Sequence, residues 1–394
     1  MRPYLAGLPR RYRVGVSLPT DAAEPSLAGS STAGAGRHGP RYQARIESAA
    51  SRAAVVAFVL AAVLGTILMW GERRPLAGDA SLGDFGGDAS LGAIAASMSA
   101  VAAGLGFILA DLRASRLGHA GWRRQRIPLW RRIISRGAMG VGMGTLAYYA
   151  VLAVANLFQL GFRGLDVDPV GGAILAGVAV AALTYIAVVT GSLVSAEGVA
   201  LLATLVLFAG TMASMLRTPD DTWWQLHFSQ LGNISEVSGY RFNFAVVITG
   251  LLVTALAEFI GHDIERGLAH RGERVGRRAG VLAGLFAGMG LCLIIVGVVP
   301  DAVSPPAHIS AAVGILLCFG AFLVAAIRLP GLARDTILIS LLVAAGIVVA
   351  ALLWVPIGYY NLAGTEFVAV ALLFGWVLVF VRAIGLYGQA LARA

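Results

Sequence analysis

Side chains able to do chemistry are few in this chain, and they gather in the segment Arg217-Thr-Pro-Asp-Asp-Thr-Trp-Trp-Gln-Leu-His-Phe-Ser-Gln-Leu-Gly-Asn and shortly after it. His227 beside Asp220 and Asp221, with Asp301 and His308 further on, has the residue types of an acid/base or metal site. The spacing does not complete either one. A zinc centre needs three or four converging ligands with outer-shell support, and neither His-x3-His nor His-Glu-x-x-His occurs, so no metal and no cofactor is expected. Gly-x-Ser-x-Gly is missing, as are paired intramembrane aspartates and a His/Cys nucleophile arrangement. The sequence has no lysine, so all 30 basic residues are arginine, which excludes Schiff-base enzymes and the lysine of a phosphate-binding loop. What remains is recognition by aromatic and polar groups: Trp223, Trp224, His227, Ser229, Asn243, Asp301 and His308 form the candidate binding set, with no catalytic residue among them.

The element expected to position that set is a short amphipathic helix over 219–231. Thr218 can cap it, Pro219 suits its first position, Asp221 closes a Thr-x-x-Asp box, and Gly232 is a natural stop. Trp224, His227, Phe228 and Leu231 then share one face. Such a helix would lie in the membrane interface, with its tryptophans at headgroup level, either closing the end of the bundle or contacting a substrate as a lid. His308 reads first as orienting the start of the helix after Pro300-Asp-Ala-Val-Ser-Pro-Pro, and Asn243 as a cap or an interhelical hydrogen bond.

The membrane follows from composition. Of 394 residues, 58% are hydrophobic and only 13% charged, and mean hydropathy is +0.79. Soluble domains run near one-quarter charged, so a single aqueous core, a disordered chain and a disulfide-stapled module are all excluded. Apolar stretches near the ~20 residues that cross a bilayer recur at about ten places: 53–70, 91–111, 137–160, 170–195, 198–216, 243–261, 279–299, 308–328, 335–356 and 365–387. The fold class is therefore all-α, a polytopic transmembrane bundle of about ten spans. Three regions are expected: a disordered cytoplasmic tail over 1–50, a four-helix extension over 51–196, and a six-helix core over 197–394. Alternating the segments between spans puts 25 arginines on one side and five, Arg73, Arg74, Arg163, Arg217 and Arg241, on the other. The positive-inside rule makes the first side cytoplasmic, with both termini there and the chain in the plasma membrane.

Several features have structural readings. The arginine clusters at Trp122-Arg-Arg-Gln-Arg and Trp130-Arg-Arg set topology and meet anionic headgroups; nucleic acid is not an expected partner, and membrane lipid is. Gly280, Gly284 and Gly288 on the seventh span, and Gly140 with Gly144 on the third, are small-xxx-small stripes that place those helices inside the bundle. Gly-Asp-Ala-Ser-Leu-Gly, at 78–83 and again at 87–92, lacks the ligand pattern of a calcium loop and reads as a connector. Cys292 and Cys318 lie in apolar runs and read as small hydrophobes. Glu258, one turn from the cytoplasmic end of its span, is expected to snorkel or to pair with Arg266, and Glu366 falls at the outer mouth of the tenth span.

Trp223-Trp-Gln-Leu-His-Phe-Ser-Gln-Leu-Gly, with Phe242-Asn243, Gly250-Leu-Leu, Gly297-Val-Val-Pro-Asp and His308, resembles a bacterial family of polytopic membrane proteins catalogued as domain of unknown function 998. The likeness covers spans five to ten, about half the chain, and more distantly it is similar to the DRAM-like eukaryotic membrane proteins. It implies a six-helix core without an assigned activity, and it adds weight to Ser229, Gly232, Asn243, Pro300 and His308 as an outer site. The function expected is non-enzymatic: binding a lipid or small amphiphile at the outer leaflet. The alternatives are a membrane-embedded hydrolase or lipid-modifying enzyme using His227 and His308 with Asp301 or Asp221, and a small-solute transporter. Oligomeric state is not legible in these residues.

Overall fold

A backbone inside hydrocarbon must satisfy its own N–H and C=O groups, and the apolar runs of this chain do so as helices. The structure, a computed structural model, describes residues 40–78, 89–116, 127–233, 237–274 and 276–389. Among them ten helices are long and apolar enough to cross a membrane: α1 (Pro40–Leu68), α2 (Leu91–Arg116), α3 (Leu129–Gly161), α4 (Pro169–Ser192), α5 (Ala196–Met215), α6 (Val237–His270), α7 (Arg278–Val298), α8 (Pro305–Ile327), α9 (Arg334–Trp354) and α10 (Leu362–Tyr387). The expected all-α polytopic bundle is what forms. The described sheet structure is one antiparallel pair of two-residue strands, β1 (Arg74–Pro75) and β2 (Asp166–Val167), joining two connectors at one end.

Helix starts follow local chemistry. Asp168 precedes Pro169 and caps α4, accepting from the N–H of Val170 at 3.1 Å and of Gly171 at 2.9 Å. The Gly171 bond, with that of Val170, holds the Asp168 carboxyl below its ordinary value of 3.8. A lowered folded value means that the cap is at full strength above the ordinary aspartate pKa and is lost as pH falls through the folded one. Ser195 caps α5 through the Gly198 N–H at 3.0 Å, and Asn361 caps α10 through that of Gly364 at 2.8 Å.

Three helices outrun their hydropathy. α1 opens at Pro40, so residues 40–50 are helix where a disordered tail was expected; the tail to Gly39, most of the tandem repeat with its aspartates, and the Trp122 cluster lie outside the described residues. α3 starts at Leu129 instead of near 137 because Trp130-Arg-Arg continues the helix, and α6 runs on through His262, Asp263 and Glu265 to His270. A hydropathy window marks where lipid ends, and a helix need not end there.

The spans alternate in direction, and contacts at both ends show which termini share an end. At one end Glu258 of α6 meets Arg131 of α3 at 3.5 Å, where Arg266 of its own helix was the expected partner. Asp111 of α2, 1% exposed, pairs there with Arg136 Nε of α3 at 2.5 Å, and Arg271 donates to the Tyr387 carbonyl at 3.2 Å while lying 3.9 Å over its ring. The other end carries the β1–β2 pair, the tandem tryptophans and Glu366; we call it the tryptophan end.

The core is built around α6, the most enclosed span. Between α7, α8 and α10 an aromatic cluster forms about Trp376, which lies 4.7 Å from Phe380 and 4.9 Å from Phe319, its indole N–H donating to Ser340 Oγ at 2.8 Å. One glycine stripe packs as expected: a Cβ at Gly144 would stand 2.6 Å from the Ala100 carbonyl oxygen, and one at Gly104 of α2 3.0 Å from that of Gly140. The other packs only at Gly288, where a Cβ would stand 3.1 Å from Cys318 Sγ of α8; one at Gly280 or Gly284 would meet nothing within 4 Å. α7 approaches α6 closely through Gly290, where a Cβ would be 2.7 Å from the Gly250 carbonyl, a glycine outside the stripe. Gly144→Val should lower the unfolding midpoint of the detergent-solubilised protein, at an overpacking cost of about 1–3 kcal/mol, whereas Gly284→Ala should leave it unchanged or raise it. Equal loss in both variants would count against this packing.

Candidate functional site

The connector from α5 to α6 is not the continuous amphipathic helix that its sequence pattern suggests. Asp220, and not the Thr218–Asp221 box, organises its start: its Oδ1 accepts from the backbone N–H of Thr222 at 2.9 Å and from the Thr222 hydroxyl at 2.7 Å. A single 3-10 turn follows at Trp223–Gln225, and one further helical turn at Gln230–Asn233. Two backbone groups of these turns take side-chain partners from another element, a route that local spacing does not reveal. Asn361 donates to the Trp224 carbonyl at 2.7 Å, and the Phe228 N–H donates to Glu366 Oε2 at 2.5 Å. Asn233 Oδ1 accepts from the Ala302 N–H at 2.9 Å, which ties the connector to the turn between α7 and α8.

The anchor of the connector is Phe228. It is buried, with Trp223, Phe242 and Phe367 edge-on around it at centroid distances of 6.1, 5.7 and 6.1 Å. The expected shared face is therefore divided. Phe228 and Leu231 point into the core, Trp223 is half-buried, and Trp224 is exposed, its indole N–H donating to the Asp221 carbonyl at 3.1 Å.

The polar candidates also divide. His227 Nε2 lies 3.6 Å from Asp301 Oδ2, both side chains about a quarter exposed. His308, 6% exposed, donates from Nδ1 to the Val299 carbonyl at 2.9 Å, tying the first turn of α8 to the end of α7 as the sequence suggests. Glu366 lies within electrostatic reach of His227, His308 and Asp301, so these four form one polar cluster. Asn243 stands apart: in the second turn of α6, its Nδ2 donates to the Gly232 carbonyl at 2.9 Å. Ser229 is half-buried, its carbonyl accepting from the Gly232 N–H at 2.9 Å. His227, Asn243 and His308 thus have three different partners, Asp301, the Gly232 carbonyl and the Val299 carbonyl.

Chemically, the cluster holds a backbone in place. A histidine–carboxylate pair needs a nucleophile or metal to become an enzyme site. Among the described residues no group of three or more His, Cys, Asp and Glu side chains is placed to hold a metal ion, and Cys292 and Cys318 are free thiols. Glu366 and Asn361 are the functional side chains that spacing missed, since their partners lie 138 and 137 residues earlier in the chain. The mouth position of Glu366 was the one visible sign.

Two apolar grooves open at the tryptophan end beside this connector. The larger, about 830 Å³, runs between α2, α3 and α6 past Val101, Leu105, Val141 and Phe244, with Asn243 and Arg241 among its few polar lining groups. The smaller, about 650 Å³, lies between α3 and α5 past Ala153, Leu157 and Phe208 and is edged by Arg217 and Arg241.

Fold and site together define an all-helical protein with the architecture of a multi-pass membrane protein. Residues 201–383 match the model of the family described as Protein of unknown function (DUF998), the family that the sequence resembles. That match takes in α5 to α10 almost entirely, including the connector, Asn243, Asp301, His308 and Glu366. No curated protein and no solved structure matches the chain.

Removing the Glu366 carboxylate leaves the Phe228 N–H without its acceptor, a loss of about 1–3 kcal/mol for a buried group. Glu366→Ala should therefore raise amide hydrogen exchange across 223–233 by one to two orders of magnitude, while Glu366→Gln, which keeps a carbonyl acceptor, should show a smaller rise. Unchanged exchange in Glu366→Ala would show that the connector does not depend on this bond.

Proposed function

We propose that this is a non-enzymatic protein of the plasma membrane that holds a lipid or small amphiphile in the outer leaflet, in the groove between α2, α3 and α6. The observation that carries the reading is the groove itself. Its walls are mostly apolar, it runs from Tyr240 and Arg241 at the tryptophan end down to Ile108 and Gly140, one turn from Asp111 and Arg136, and its charged and amide groups, Arg241 and Asn243, lie toward the tryptophan end. An amphiphile needs that division, with hydrocarbon along the helices and a head at the interface. Because Asn243 lines the groove and also holds the Gly232 carbonyl, the connector and the lining are coupled through one side chain.

The assignment to the outer leaflet comes from arginine. Lipid on the cytoplasmic face is anionic and attracts arginine-rich segments; Arg73, Arg74, Arg163, Arg217 and Arg241 are the whole share of the tryptophan end, against 25 in the remaining chain. In this reading His227 and His308 belong to the cluster that holds the connector beside the groove and do not touch the ligand.

Val101 and Val141 line the groove and are exposed, so enlarging them obstructs it without entering the core. Lipid extracted from the purified, detergent-washed protein should include a tightly held species at near one mole per mole. Val101→Trp and Val141→Trp should each reduce that retention at least about fivefold, a loss of ~1 kcal/mol, with little change in unfolding midpoint. Wild-type protein that retains no lipid, or retention indifferent to both substitutions, would end this proposal.

A further inference from the structure

The larger groove is bounded at both ends. Toward the tryptophan end Tyr149 of α3 and Arg241 of α6 stand between it and the smaller groove, which continues outward along α3 as far as Arg217. At the opposite end its walls come together. Ile108 of α2 lies so closely on Gly140 of α3 that a Cβ there would overlap its side chain, and α6 meets α3 at Gly142, where a Cβ would stand 3.0 Å from Leu252 Cδ1. One turn further on is the buried Asp111–Arg136 ion pair, which an apolar chain cannot pass. Between these ends the groove runs past Val101, Leu105 and Phe244, all exposed, so it opens sideways to lipid.

Taking the amphiphile-binding reading as its premise, we propose that the ligand is a single-chain fatty-acid anion of medium length, its carboxylate held by Arg241 and Asn243 and its methyl end at Ile108. The length follows from the lining of α2, which runs from Ser97 to Ile108: about 16 Å along the helix axis, the extended length of a chain of about twelve to fourteen carbons. A second chain on the same head would find no parallel groove, because the smaller one lies end to end with the larger, beyond Tyr149. The head is an anion because Arg241 is the charged group of the lining. Arg241 already has a partner within the protein, but its planar fork of five donors leaves room for a carboxylate as well. The Asn243 amide gives one N–H to the Gly232 carbonyl and keeps a second. The head is small because the walls outward of Arg241 are again mostly apolar, past Ala153, Leu157 and Phe208, where a bulky polar head would lose its water without gaining partners. A methylene gains little by exchanging lipid for an apolar groove. Length is therefore selected by fit: a short chain leaves a void against Ile108, and a long one runs into the closed seam.

The test is competition against radiolabelled tetradecanoate on the full-length protein, delipidated in detergent. Dodecanoate and tetradecanoate should bind best, with octanoate and octadecanoate each weaker by at least about fivefold, ~1 kcal/mol. Tetradecanol, which has the chain without the charge, should bind about tenfold more weakly than tetradecanoate, and Arg241→Gln should erase that difference while tetradecanol binding stays as it was. Tetradecanoyl lysophosphatidylcholine should compete no better than tetradecanol. Leu105→Trp, at an exposed position one turn above Ile108, should move the optimum to decanoate or shorter with little change in unfolding midpoint. An affinity that does not turn over with chain length, or an optimum that Leu105→Trp leaves in place, overturns the assignment of length. Equal binding of tetradecanol and tetradecanoate to the wild-type protein overturns the carboxylate, and lysophosphatidylcholine competing as well as tetradecanoate overturns the small head. If the purified protein retains a lipid that Val101→Trp displaces, yet none of these preferences is seen, the amphiphile-binding reading stands and this inference falls; if wild-type protein retains no lipid, both fall.

Discussion

The constraint on which this structure depends is that a peptide group in hydrocarbon has no water to bond with. Every span answers it with its own helical ladder, and irregular backbone is confined to the ends. The connector between α5 and α6 is where the constraint becomes informative. Its short turns bond only part of its own backbone, so it borrows an acceptor from Glu366, a donor from Asn361, and places the Asn233 side chain against the Ala302 N–H. With the Asn243 bond to the Gly232 carbonyl, four polar contacts and one buried phenyl ring hold the segment, two of them reaching α10, one α6 and one the α7–α8 turn.

That arrangement changes the meaning of the polar motif. Histidine, aspartate and glutamate lie close together here, and the carboxylate of Glu366 is engaged with the backbone of the connector. His308 is bonded to the Val299 carbonyl, and His227 faces Asp301 at the same turn. The residues that face open apolar space are different ones: Arg241, Asn243 and Tyr149, drawn from α6 and α3.

The number of spans and their order were readable because lipid imposes a length and a composition on each crossing, and both can be counted along the chain. Helix ends were less readable: Pro40 and His270 extend α1 and α6 into water, where no such requirement applies. The shape of the connector was unreadable for a further reason. Thr218, Pro219 and Asp221 do encode a helix start, and the face formed by Trp224, His227, Phe228 and Leu231 is real as a pattern. Neither competes well against a carboxylate and an amide delivered from α10, more than a hundred residues away. The glycines on α7 teach the same point, since only the neighbouring helix decides which of several small residues is used. His308 was legible because its bond is local, nine residues back in sequence.

Gly297 packs so tightly on the Asn243 backbone that a Cβ there would sit 2.9 Å from its carbonyl oxygen. Together with the stitches from the connector to α10 and to the α7–α8 turn, this ties α6, α7, α8 and α10 to one another at the tryptophan end. The larger groove has α6 as one wall and α2 with α3 as the other. Below it the same helices share one buried core, so the width of its mouth is fixed by how α2 and α3 seat on α6.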